Sequence, residues 1–235
     1  MLMKIHPIKA FSDNYIWVIE KDSIAVVVDP GQASAVIAYL EAEALELGAI
    51  FLTHNHHDHT DGVEQILALH PGTPVYGPQE TVPLNDHILD EGDTFELFEK
   101  PVSVLKTPGH TDGHISYLVG DALFCGDALF SAGTGRVFTG DYQAHYDSLQ
   151  KFKHLKDTVK VYAGHEYTET NLRFAKSIDP KNRKITEALA EVTALRKEDK
   201  STLPSTIGRE KEINLFLQAE SLEDFIKRRQ ARDHF

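Results

Sequence analysis

The first half of the chain alternates stretches of strand-like and helix-like apolar spacing. Tyr15-Ile16-Trp17-Val18-Ile19 and Ile24-Ala25-Val26-Val27-Val28 read as neighbouring strands, the second closed by Asp29-Pro30-Gly31. Ser34 to Leu45 is rich in Ala, Leu and Glu at helical spacing, and Ala49 to Thr53 returns to a strand. Gly62 to Leu69 reads as the next helix, ended by His70-Pro71-Gly72. From Pro74 to Cys125 short strands dominate. Strands before helices, then the same again, predict an α/β fold: two sheets sandwiched between helical layers, four layers in all.

The pattern changes after about Pro180. Asn182 to Lys200 is charged and helical, and Ser201-Thr202-Leu203-Pro204-Ser205-Thr206 is a polar breaker. Glu212 to Gln218 is an apolar mixture, and Ser221-Leu222-Glu223-Asp224 is a capping-box pattern opening a terminal helix. We therefore expect a large domain over residues 1–170 and a small helical domain over 171–235.

Composition narrows the function classes. A chain of 235 residues with 41% hydrophobic and 26% charged residues suits a soluble globular protein. No apolar run near the N-terminus is long enough for a signal peptide, and none elsewhere is long enough for a membrane span. One cysteine excludes an intrachain disulfide and fits the cytoplasm. The net charge of −12 disfavours nucleic acid, whose phosphates demand a basic face. An anionic small substrate would need a local basic patch; Lys227-Arg228-Arg229 with Arg232 is the dense one.

Candidate chemistry concentrates in Thr53-His54-Asn55-His56-His57-Asp58-His59-Thr60-Asp61-Gly62, directly after the strand-like Ala49 to Leu52. Alternation places His54 and His56 on one side of an extended segment, while Asp58 and His59 fall where a helix should begin. Imidazoles and a carboxylate at this density suit Zn, Mn or Fe. Four ligands exceed the three of an open catalytic site, so two ions are the simplest reading. Three later segments each end a strand beside a glycine and supply His110, Asp127 and His165. One site can then be His54, His56 and His110, the other Asp58, His59 and His165, with Asp127 bridging. His57 should point away from the metals. His114 reads as a partner of a ligand, and Cys125 as a buried, inert thiol. Arg229 and Arg232, three apart on the terminal helix, share a face.

Thr-His-x-His-x-Asp-His followed by Pro-Gly-His, Gly-Asp and Gly-His-Glu in this order resembles the metallo-β-lactamase superfamily. Asp13-Asn14-Tyr15-Ile16-Trp17, Gly126-Asp127-Ala128-Leu129-Phe130, Gly135-Arg136-Val137-Phe138, His165-Glu166-Tyr167-Thr168 and Arg229-Gln230-Ala231-Arg232-Asp233-His234-Phe235 are similar to glyoxalase II, the hydroxyacylglutathione hydrolases. The resemblance implies a metallo-β-lactamase-like catalytic domain and a C-terminal helical substrate-binding domain. It implies hydrolysis of S-D-lactoylglutathione to D-lactate and glutathione, the second step of methylglyoxal detoxification. Two divalent ions per chain are expected, zinc first, with iron or manganese as alternatives. Asp58 would orient the nucleophile. Arg229 and Arg232 match positions that hold the glycine carboxylate of glutathione; Arg136, Tyr167 and the backbone N–H of Phe138 match further contacts. Asp61 and Thr134 stand where relatives often have Gly and Cys. A monomer acting on a small thioester, with neither nucleic acid nor membrane as partner, is the expectation. A persulfide dioxygenase or a lactonase on the same fold is the alternative.

Overall fold

The computed structural model describes residues 3–235. Its internal contacts divide the chain into two compact units. The first takes the chain up to Lys106 together with Gly113–Gly120, the second Thr107–Asp112 together with Asp121–Phe235.

In the first unit, strands β1 (Lys4–Ala10), β2 (Asn14–Lys21), β3 (Ile24–Val28), β4 (Glu46–Phe51), β5 (Val75–Gly77) and β6 (His87–Ile88) form one sheet in chain order. Pairing is antiparallel from β1 to β3 and parallel from β3 to β6. Strand β3 is a continuous apolar run, Val-rich at its end, because both of its faces are covered; Val26, Val27 and Val28 are all buried. Helix α1 (Ala33–Ala42) packs through Ala33, Val36 and Leu40, one helical stripe. It stops short of the expected Leu45: Ala44 turns left-handed (φ 51°) and the Leu45 N–H closes back on the Leu40 carbonyl at 2.9 Å. Helices α2 (His57–Thr60) and α3 (Val63–Leu69) follow β4. An antiparallel meander of β7 (Thr94–Leu97), β8 (Lys100–Lys106) and β9 (Ile115–Val119) completes the unit. The Tyr117 ring stacks on Phe51 at 4.8 Å, and its hydroxyl donates to the Leu52 carbonyl at 2.8 Å. Ile115 N–H donates to the Thr53 carbonyl at 2.9 Å, so β9 fixes the backbone immediately before His54.

The second unit carries β10 (Ala122–Gly126), β11 (Lys160–Ala163) and β12 (Ser205–Thr206), with β10 parallel and β12 antiparallel to β11. Around them run α4 (Tyr142–Lys153), α5 (Thr168–Ile178), α6 (Arg183–Lys197), α7 (Ile207–Ile213) and α8 (Leu222–Asp233). The N-cap half of the capping box is present, Ser221 Oγ accepting from Asp224 N–H, while the Asp224 carboxylate reaches back one residue further, to Glu220 N–H. No helix among the described residues is long and apolar enough to cross a membrane.

Candidate active site

Each unit gathers part of the expected donor set. In the first, β4 ends at Phe51, and the extended Leu52–His56 segment carries His54 and His56 to one place, with ring centroids 4.7 Å apart. His56 is the residue before α2, so Asp58 and His59 leave in the first turn of that helix. The His59 ring lies 4.2 Å from His54, and His59 Nε2 is 3.6 Å from Asp58 Oδ2. Gly31 permits this crossing: a Cβ there would stand 1.8 Å from the Asp58 carbonyl oxygen. His57 is exposed and bonded to Asp61, away from the others. His114 is fully buried and stacks on His54 at 4.9 Å.

In the second unit, Asp127 follows β10, His110 lies in the Thr107–Asp112 segment, and His165 follows β11. Asp127 Oδ2 is 3.4 Å from His110 Nε2 and 3.3 Å from His165 Nε2. Donors bound to one tetrahedral ion at about 2.0–2.2 Å must stand roughly 3.3–3.6 Å from each other. The three donor separations, 3.6, 3.4 and 3.3 Å, fall in that window. Imidazole and carboxylate chemistry and their spacing both fit divalent ions.

The far sides of three rings are held. Thr53 Oγ1 bonds His54 Nδ1 at 2.9 Å, and Asp29 Oδ2 bonds His59 Nδ1 at 3.1 Å. His110 Nδ1 donates to the Arg136 carbonyl at 2.9 Å. With Nδ1 engaged on His54, His59 and His110, Nε2 is the nitrogen left to face an ion, and the orientation of these three imidazoles is set in advance. Asn14 Nδ2 donates to Asp58 Oδ2 at 2.8 Å and steadies that carboxylate. Sequence reasoning missed Asp29. Its position at the end of a buried strand, before Pro-Gly, was the available signal.

His145 carries no ligand spacing in the sequence. It is fully buried, stacks on Phe225 at 5.6 Å, and burial holds its pKa down to about 3. Its Nε2 meets the Thr134 hydroxyl, which itself donates to the Ala128 carbonyl at 2.8 Å. Gly109 is required beneath it, since a Cβ there would come 2.3 Å from His145 Cβ. Cys125 is buried, burial pushes its thiol pKa up, and its Sγ donates to the Leu129 carbonyl at 3.1 Å. It is inert.

A cavity of about 280 Å³ in the second unit is lined by Arg136, Tyr167, Arg229 and Arg232, together with Phe130, Thr134, Asn171, Asp233 and Phe235. Four of the five expected substrate-binding residues thus share one cavity. Phe138 does not line it; its exposed ring lies edge-on to His110 at 5.3 Å, with the Arg136 guanidinium 5.8 Å from the ring centre. The Tyr167 ring stacks on His165 at 4.7 Å. Arg229 is 6% exposed, and burial holds its pKa down to about 10. It donates to the Thr134 carbonyl at 2.7 Å and to Asp233 at 3.0 Å.

Residues 11–165 match the family model described as the metallo-beta-lactamase superfamily, and residues 166–235 match that of the hydroxyacylglutathione hydrolase C-terminus. A hydroxyacylglutathione hydrolase of Glaesserella parasuis serovar 5 is 52% identical over the whole of both chains. Another, from Actinobacillus pleuropneumoniae serotype 5b, is 47% identical, again over both full lengths. Among solved structures, ETHE1 from Myxococcus xanthus is 28% identical with a TM-score of 0.72, covering 98% of this chain and 90% of that one. The chain belongs to the hydroxyacylglutathione hydrolase family of the metallo-β-lactamase superfamily and has its α/β fold, two mixed sheets with helices and a helical C-terminal region.

Proposed function

We propose that this protein hydrolyses 2-hydroxyacyl thioesters of glutathione, turning S-D-lactoylglutathione and water into D-lactate and glutathione, the second step of methylglyoxal detoxification. The observation that carries this reading is the cavity joining Arg136, Tyr167, Arg229 and Arg232 on the same unit as His110, Asp127 and His165. His54, His56 and His110 would hold one divalent ion, Asp58, His59 and His165 the other, with Asp127 shared. Zinc is the proposed metal, and iron or manganese would suit the same donors. When bound, two such ions lower the pKa of a shared water toward about 7 and polarise a carbonyl oxygen.

The chain's own residues do the rest. Asp58, held by Asn14, orients the attacking water. Water oxygen bonds to the thioester carbon, the C–S bond breaks, and the proton released ends on the departing thiolate. A thiol pKa of about 8.5 lets that group leave with no dedicated acid. Arg136, Arg229 and Arg232 counter the chain's overall acidity locally and draw the carboxylates of glutathione into the cavity. We take the protein to act as a cytoplasmic monomer; a lone buried thiol suits a reducing compartment.

Turnover of S-D-lactoylglutathione, followed as loss of thioester absorbance and paired with elemental analysis, tests the reading. Intact thioester, or oxygen uptake in its place, would overturn it. Arg232→Ala should raise KM for glutathione thioesters about tenfold or more, with little change for a thioester lacking the peptide. Equal effects on the two substrates would remove the glutathione assignment and leave the hydrolase.

A further inference from the structure

Asp233 is the one acidic side chain among the residues lining the cavity. Its Oδ1 is fully used, accepting from Arg229 Nη2 at 3.0 Å and from Arg136 Nε at 3.3 Å. Its Oδ2 has no protein partner among the described residues, and the side chain is 22% exposed at the cavity wall. Around it stand the three arginines and Tyr167. An arginine-lined cavity of this kind takes carboxylates. A free carboxylate oxygen set among those arginines takes a hydrogen-bond donor that accompanies the ligand's carboxylate. An ammonium is unsuited to the place, because guanidiniums flank Asp233 and would repel a second cation. A neutral peptide N–H meets no such repulsion, and in a peptide C-terminus it lies one carbon from the carboxylate.

We propose that Asp233 is a specificity-determining residue whose Oδ2 accepts the last peptide N–H of the substrate, so that the cavity reads a peptide C-terminus rather than a bare carboxylate. This rests on the glutathione reading above. Arg229 and Arg232 would take the carboxylate while Oδ2 takes the adjoining amide.

The test compares S-D-lactoylglutathione with an analogue in which glycolate replaces glycine, so that one N–H becomes an ester oxygen. The intact enzyme should prefer the amide about tenfold in kcat/KM, chiefly through KM. In Asp233→Ala and Asp233→Asn the preference should fall to within about twofold of unity. Both substrates are assayed on one preparation, so a partly misfolded variant does not alter the ratio. A ratio near unity in the intact enzyme, or one retained in both variants, overturns the proposal. A third thioester, with glutaryl in place of γ-glutamyl, lacks the ammonium. If Asp233→Ala abolishes discrimination against that compound and not against the ester, Asp233 meets the ammonium and the proposal is wrong. If the intact, metal-loaded enzyme cleaves neither peptide thioester, the function reading itself fails and takes this one with it.

Discussion

Replacing Asp127 by Ala is expected to lower kcat/KM by about a thousandfold or more and to leave the protein short of at least one divalent ion. Asp127 is buried, and a single oxygen, Oδ2, faces both His110 Nε2 at 3.4 Å and His165 Nε2 at 3.3 Å. Alanine removes both that charge and that shared geometry. Gly126 (φ 46°) makes the sharp turn that delivers it from the end of β10. Asp127→Asn keeps the shape and removes the charge, so it should also lose metal, though with less disturbance of the loop. Elemental analysis after dialysis, alongside hydrolysis assays, checks both. Melting adds a control: metal should stabilise the intact protein much more than the variant. An Asp127→Ala enzyme with two ions and normal turnover would refute the shared-ligand role.

Much of the candidate site was legible because its donors sit close in sequence at strand ends. The run from His54 to His59 needs only a strand that stops and a helix that starts. The structure supplies both, with β4 ending at Phe51 and α2 starting at His57. His110, Asp127 and His165 follow the same logic, each beside a glycine. The terminal helix was legible from Ser221 and Asp224, whose capping bonds are local.

Other features rest on partners distant in sequence and left no local trace. Glu210 is fully buried and burial pushes its carboxyl pKa up, yet it accepts from Ser131 at 2.9 Å and from Ala132 N–H at 2.7 Å. Asn214, one turn on, donates to the Phe130 and Gly133 carbonyls at 3.1 and 2.9 Å. These bonds span about eighty positions of chain and shape the loop between Asp127 and Arg136. Read locally, Glu210 is an ordinary helix glutamate. Arg229 likewise reads as a solvated helix end, but it is buried against the Thr134 carbonyl. Burial decides such roles, and burial depends on the whole fold.

Asp29 carries the second large effect. Asp29→Ala should weaken metal binding about 10- to 100-fold and cost the metal-free protein about 3 kcal/mol or more. The carboxylate is 4% exposed and accepts from Thr53 N–H at 2.8 Å, from Thr53 Oγ1 at 2.7 Å and from His59 Nδ1 at 3.1 Å. Alanine leaves those donors buried with nothing in place of the carboxylate, and each orphan costs about 1–3 kcal/mol. Thr53 in turn orients His54 at 2.9 Å, so one truncation loosens two of the proposed ligands. The backbone adds to the cost: Asp29 is left-handed (φ 53°), a conformation alanine tolerates less well than aspartate. Asp29→Asn separates the effects. Its oxygen can keep the Thr53 N–H, whereas its NH₂ faces His59 Nδ1 and forces the other tautomer, placing a proton on the metal-facing Nε2. The asparagine variant should therefore recover most of the stability of the metal-free protein while still binding metal weakly. Urea denaturation of metal-free protein reads the first quantity and chelator competition the second. A variant that loses stability but binds metal as tightly as the parent would show that Asp29 supports the fold alone and does not set the ligand rings.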